Sequence, residues 1–267
     1  MPQRVPRGIL EAMRSSLACL LLACCGTPAP DTLGQLEESP PNASGDMAVE
    51  FDGVNDYASL GTAGFPFPRS PQTISFWLSA AANGPADQTI IVLHKDAESG
   101  VRLGLKDGVP TAISVYSGDV YAEASAPLPP DEWHHIAYLF DGTDSAPHHT
   151  LYLDGVVVGS GTTLPNKRTP NTAFMGSDNH EERCYKGKLD ALRIWAVARN
   201  AEQVTAEING EAPVQEPPDL VAFYSFDEAG GPRVVDRSGR GNHALLGDGL
   251  ADYAPKRVPS GVRARRR

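Results

Sequence analysis

Between residues 48 and about 258, short runs rich in Val, Ile, Leu, Phe and Tyr alternate with clusters of Gly, Asn, Asp and Pro. Short apolar runs broken by such turns are the pattern of a β-sandwich or barrel. In TISFWLSA, Ile74, Phe76 and Leu78 fall on one face of a strand and Ser75, Trp77 and Ser79 on the other, because successive strand side chains point to opposite sides. IIVLHK, VRLGLKDG and AISVYSG continue the pattern. The clearest hairpin pairs EWHHIAYLFDG with HTLYLDGVVVG across the loop TDSAPH. Within its second arm, Asp154-Gly155 is a tight-turn dipeptide leading into Val156, Val157 and Val158. One stretch reads as helix, ARNAEQVTAEING, where Asn200 can cap the first turn and Gly210 can stop the last. A single short helix near the C-terminal end argues against a parallel α/β fold.

Six segments then carry a resemblance. VEFDGVNDYASLG, TISFWLSA, DEWHHIAYLFDG, LYLDGVVVG, AFMGSD and YKGKLDALRIWAVARNAEQV stand in this order. The order resembles that of laminin-G-like jelly-roll domains in the concanavalin A-like lectin/glucanase superfamily. The resemblance covers residues 48–247 and implies an all-β, two-sheet antiparallel jelly-roll sandwich. It departs from the family at Ala191, where a glutamate is usual after the aspartate.

Residues 220–247, LVAFYSFDEAGGPRVVDRSGRGNHALLG, look like the opening of a second unit. No second FDG strand or WHH strand follows, and a lone strand cannot bury a face of its own. The segment is therefore expected to close the same sandwich, placing the domain at 48–258 and leaving 259–267 as a basic disordered tail.

The N-terminus changes the picture of where the protein works. An arginine and a short apolar run precede paired cysteines in MRSSLACLLLACCG. That run is too short to span a bilayer, which takes roughly 20 residues, and has the length of a secretory signal. LLAC resembles a bacterial lipobox, which implies a signal peptide over residues 1–23, with translation starting at Met1 or Met13, and acylation of Cys24. A Pro/Ser/Gly/acidic linker would fill 24–47. The expected location is the cell envelope, at the outer membrane, with the lipid anchor as the sole membrane contact. Cleavage would move the net charge from −10 to −12, which removes any electrostatic case for nucleic acid. Only Cys184 lies in the folded part, so core burial and not a disulfide must hold the domain.

The carboxylates and histidines carry the candidate chemistry. Related glucanases alternate acids along one strand, as retaining hydrolysis requires, and no strand here shows that spacing. HEERC, from His180, has Cys184 where a zinc-protease helix needs its second histidine, and it falls between strands. His134-His135 and His148-His149 would face each other if the hairpin arms aligned them, but two imidazoles are too few for a zinc site. The turn FDGVNDY gathers Asp52, Asn55 and Asp56, hard oxygen donors that suit Ca²⁺. The resemblance adds Asp190 as a late-strand partner. The competing reading is that these aspartates cap turn amides. Asp236, Ser238 and Asn242 read as turn builders. Trp77 and Tyr152 are candidate sugar-stacking residues, although in a two-sheet fold strand aromatics also serve as core. The expectation is a non-catalytic, lipid-anchored module that binds a glycan or an extracellular protein. A structural envelope lipoprotein and a polysaccharide-active enzyme are the alternatives.

Overall fold

Asp154 and Gly155 sit at φ of 50° and 82°, the left-handed pair that a two-residue hairpin turn requires. They join two strands of a computed structural model that describes residues 45–66, 69–95, 99–115, 117–142, 145–165, 170–178, 183–211 and 217–262. The proposed signal peptide, Cys24 and nearly all of the linker lie outside the described residues, as do His180 and the two glutamates after it.

In chain order the strands are β1 (Met47–Asp52), β2 (Ala58–Leu60), β3 (Gln72–Ala80), β4 (Asp87–Lys95), β5 (Ser99–Lys106), β6 (Val109–Ser114), β7 (Val120–Glu123) and β8 (Trp133–Phe140). They continue with β9 (His149–Leu153), β10 (Val156–Gly161), β11 (Thr172–Met175), β12 (Lys186–Trp195), β13 (Leu220–Tyr224), β14 (Arg233–Val234), β15 (Ala244–Leu246) and β16 (Lys256–Pro259). A helix, α1 (Ala201–Ile208), separates β12 from β13. Two antiparallel sheets result. The first runs β10-β9-β8-β3-β12-β1-β16 with β13 added to β12, and the second β14-β15-β2-β11-β4-β5-β6-β7. This is the sandwich that the alternation implied.

The period of two places the core. Ile74, Phe76 and Leu78 of β3 join one buried cluster with Ile91, Leu93, Leu103 and Met175 of the facing sheet. β13 pairs with β12 from Leu192↔Tyr224 to Trp195↔Leu220, so the late segment closes the sandwich as expected. Its loop is built by Asp236, whose carboxylate accepts from the amides of Phe223, Ser238 and Asn242 at 2.9–3.0 Å. Asn242 then donates to the carbonyls of Ala63 and Val221.

The helix forms where its caps predicted. Asn200 accepts from the Gln203 amide and Gln203 accepts in return from the Asn200 amide, both at 2.9 Å, a capping box. Gly210 follows at φ 71°.

The domain reaches further than residue 258. β16 pairs with β1 through Pro259, the Ser260 amide donates to the Asp46 carbonyl, and Val262 is fully buried. Residues 259–262 therefore belong to the folded part and not to the tail. The cause is long-range: Val262 packs in a cluster with Trp77 and Ala191, residues more than seventy positions upstream.

Candidate binding face

The four proposed calcium ligands do not converge. In the β1–β12 register Asp52 faces Lys186, while Val49 faces Leu189. Asp190 is thus four residues along the strand from the position opposite Asp52, roughly 13 Å away at strand rise. The turn itself is internally satisfied. Asp52 Oδ1 accepts from the Val54 and Asn55 amides at 2.7 and 3.3 Å, and Asp56 Oδ2 accepts from the Asp52 amide at 2.9 Å. Burial raises the Asp56 carboxyl above its ordinary value; the Asp52 amide opposes that rise and the Asp52 carboxylate adds to it. Asp190 instead accepts from Ser260 Oγ at 2.6 Å and fastens the C-terminal residues. As one calcium site the set of Asp52, Asn55, Asp56 and Asp190 does not fit. Among the described residues no three His, Cys, Asp or Glu side chains gather as a metal set.

The proposed stacking residues lie on the outer face of the first sheet, and that face is covered. Trp77 is 5% exposed beneath Val262, with Trp133, Ile208 and Phe223 around it. Tyr152 is half-buried against a cluster of Ala137, Leu139 and Val204. Neither forms an open platform, because α1 and residues 260–262 fill the space above them. The histidine pairs also fail to meet: Phe140 is opposite His149 and Ile136 is opposite Leu153, which puts the two pairs at opposite ends of the hairpin. His149 is core. Its ring stacks on Tyr121 with centroids 4.6 Å apart, its Nδ1 accepts from the Tyr138 hydroxyl, and its Nε2–H donates to the Thr163 carbonyl. Burial lowers its pKa.

A buried ion cluster locks the helix onto this covered face. Glu207 Oε1 accepts from Ser75 Oγ at 2.6 Å, with His135 Nε2 at 3.3 Å and Arg193 Nη1 at 3.4 Å. Burial alone would raise the Glu207 carboxyl. Arg193, His135 and Ser75 together outweigh burial and hold it down at about 2. The arginine lies 4.0 Å over the Phe223 ring, so packing as well as charge orients it. A serine, a histidine and an acid do meet here, but the serine donates to the carboxylate and not to the histidine. The order is wrong for activating a nucleophile.

The outer face of the second sheet carries a different composition. One cross-strand row runs Arg233, Leu245, Ser59, Phe174, Val92, Arg102, Ile113 and Val120, from β14 across to β7. None of these residues belongs to the central core. Aromatic rings line up across the row. His94 and Phe174 have centroids 5.9 Å apart, Phe174 and Tyr57 6.2 Å, and Tyr57 and Tyr253 6.2 Å. Tyr57 donates its hydroxyl hydrogen to Asp248 Oδ2 at 3.0 Å; burial, then that carboxylate, push its pKa up to about 12. Ser59 Oγ donates to the other oxygen of Asp248.

Beside the aromatic strip sits a charged network. Arg102 donates to Asp87 at 2.8 Å and to Thr89 Oγ1 at 3.3 Å, and Thr89 Oγ1 donates to Asp178. Arg183 bridges Asp87 at 3.0 Å and Asp178 at 2.5 Å. Asp87 and Arg183 keep 44% and 42% of their side-chain surface in water, so the network presents both donors and acceptors outward. Aromatic surface beside fixed polar groups suits a ligand with apolar C–H faces and a rim of hydroxyls. None of the strip was singled out from the sequence, although His94 and Phe174 stand at outward positions of β4 and β11 and Tyr57 immediately precedes β2. What the pattern lacks is which sheet face the helix and the C-terminal residues cover.

A family model described as the concanavalin A-like lectin/glucanases superfamily, of laminin-G type, matches residues 52–205. No curated relative matches the sequence. Among solved structures, a Bacteroides ovatus protein described as carbohydrate binding is similar with a TM-score of 0.62 and 19% identity, over 80% of this chain and 60% of that one. A heptameric SAP-like pentraxin from Limulus polyphemus is similar with a TM-score of 0.52 and 16% identity, over 78% and 97% of the two chains. At these identities the likeness is one of fold.

Proposed function

Because the chain belongs to the concanavalin A-like lectin/glucanases superfamily, we propose that it is a glycan-binding module without catalysis, working through the outer face of its second sheet. One observation carries this reading. The first sheet's outer face is filled by α1 and the C-terminal residues, whereas on the second the half-buried rings of Phe174 and Tyr253 pack with the buried His94 and Tyr57 beside the Asp87–Arg102–Arg183–Asp178 network, in which Asp87 and Arg183 reach water. A sugar ring would lay its C–H face on Phe174, the half-buried centre of the strip, and exchange hydroxyl hydrogen bonds with Asp87 and Arg183. Both carboxylates of the network, Asp87 and Asp178, are committed to arginines, which suits holding hydroxyls and not delivering a proton. The fold relative from Bacteroides ovatus, described as carbohydrate binding, agrees in kind.

We further propose that acylation at Cys24 tethers this module to the bacterial envelope, at the outer membrane, through the linker that follows. The reading rests on LLACCG and on the Pro/Ser/acidic composition after it. Mass spectrometry of the mature protein checks it: an acylated Cys24 terminus is the expected result, and an intact Met1 or Met13 terminus is the contrary one. For the binding face, retention on insoluble polysaccharides is the test. Phe174→Ala should abolish retention while leaving the melting temperature within a few degrees.

A further inference from the structure

At one end of the sandwich three loops enclose a pocket of about 390 Å³, within the roughly 300–1,000 Å³ range of small-ligand sites. It is separate from the aromatic strip. The loop after β3 contributes Ala81, Ala82, Gly84 and Pro85; the β5–β6 turn contributes Asp107; the loop before β8 contributes Pro127 and Leu128. The walls are tied by backbone hydrogen bonds. The Asp107 amide donates to the Ala86 carbonyl at 2.6 Å, the Leu128 amide to Gly108 at 3.0 Å, and the Asp131 amide to Ala80 at 2.7 Å. Rigid proline-bearing loops held this way are preorganised, which lowers the entropic cost of binding.

Two polar groups meet at this pocket. Gln88 lines it and is 3% exposed. Its Oε1 accepts from the Lys186 amide at 2.9 Å, which fixes the amide plane and leaves Nε2 as a donor. That nitrogen lies against Gly84, where a Cβ would come within 2.7 Å of it. Gly84 does not need to be glycine for its backbone, since its φ is not positive; it is small because the Gln88 amide occupies the space. Asp107, exposed at the mouth and at φ 51°, supplies a carboxylate acceptor. The remaining lining is Ala, Gly, Pro and Leu.

We propose that this pocket is a second carbohydrate site, which takes a single sugar unit or the end of a glycan chain. A buried amide donor and a carboxylate acceptor fit adjacent hydroxyls, one accepting and one donating. The flat faces of Pro85, Pro127 and Pro130 fit the C–H side of a pyranose or furanose ring. The inference builds on the glycan-binding reading but concerns a different part of the molecule, so the two can fail independently.

The test titrates the ¹⁵N-labelled full chain with D-glucose, D-galactose, D-mannose, L-arabinose, L-fucose and N-acetylglucosamine while following the Gln88 side-chain amide resonance. At least one sugar should shift it saturably. Gly84→Ala should weaken that sugar at least tenfold by displacing the amide. Asp107→Asn, on an exposed turn that does not endanger folding, should weaken it severalfold. Phe174→Ala should leave the Gln88 response intact. Silence of the Gln88 resonance with all six sugars at 50 mM would overturn the proposal even if polysaccharide retention through Phe174 stood. A response to a proline-rich or amide-bearing peptide in place of any sugar would also overturn it and mark the pocket as a peptide site.

Discussion

Glu207 shows how a single residue can bind an element to a sheet and leave a pH signature. Its carboxyl is held at about 2 in the folded state against an ordinary 4.5. A depressed carboxyl stabilises fully above its unfolded value and loses that contribution as pH falls through the folded one. Stability should therefore fall between about pH 4.5 and 2, by on the order of 3 kcal/mol from this group. Glu207→Gln keeps an acceptor for Ser75 but removes the partner of Arg193. It should cost about 3 kcal/mol at neutral pH and flatten the acid limb of a denaturation series. An acid limb unchanged in the variant would show that other carboxylates govern it. At Asp52 the opposite expectation holds. With its carboxylate engaged by turn amides and Lys186 across from it, melting temperatures in excess chelator and in millimolar calcium should agree within a degree. A calcium-induced rise of several degrees, lost in Asp52→Asn, would restore the metal reading.

Elements were more legible than the contacts between them. The period of two in TISFWLSA located the core face of β3 correctly, and Asn200 and Gly210 bounded α1. Sequence alone misplaces Asp190, because it gives a strand's faces but not its register: the residue opposite Asp52 is Lys186, a cation, and Asp190 turns to Ser260. In the sequence the C-terminal residues look like tail because Ser-Gly-Val carries no pattern of its own; its partners, Trp77, Asp190 and Asp46, lie far upstream. Deleting everything after Pro259 removes Val262, whose burial is worth roughly 1.5–3 kcal/mol, and the Ser260–Asp190 hydrogen bond. The shortened chain should lose about 3 kcal/mol, and its tryptophan emission should move to the red as Trp77 hydrates. Unchanged stability and emission would mean that these residues contribute nothing to the fold. A cut before β13 removes Leu220, Ala222 and Tyr224 from the core, a loss comparable with a domain's whole stability of about 5–15 kcal/mol. That product should not melt cooperatively.

At the scale of the molecule, the two outer faces have diverged. One is closed by a helix, a buried ion cluster and residues 260–262; the other carries an aromatic strip assembled from positions 57, 94, 174 and 253. No sequence window contains that strip, since its members meet only after β2, β4, β11 and the segment before β16 have folded together. The fold class, by contrast, needs only local alternation, turn residues and the order of six short segments. For the same reason Trp77 and Tyr152 look like binding residues in isolation and become packing residues once the helix is docked.

The most direct test of the account is one affinity-retention experiment on a panel of insoluble polysaccharides, run with the wild type and Phe174→Ala, with reducing ends assayed in the same tubes. The wild type should be retained on at least one polymer, Phe174→Ala should pass through with its fold intact, and no reducing ends should appear above the blank. Retention that survives Phe174→Ala, or release of reducing ends that tracks the wild-type protein, would contradict it.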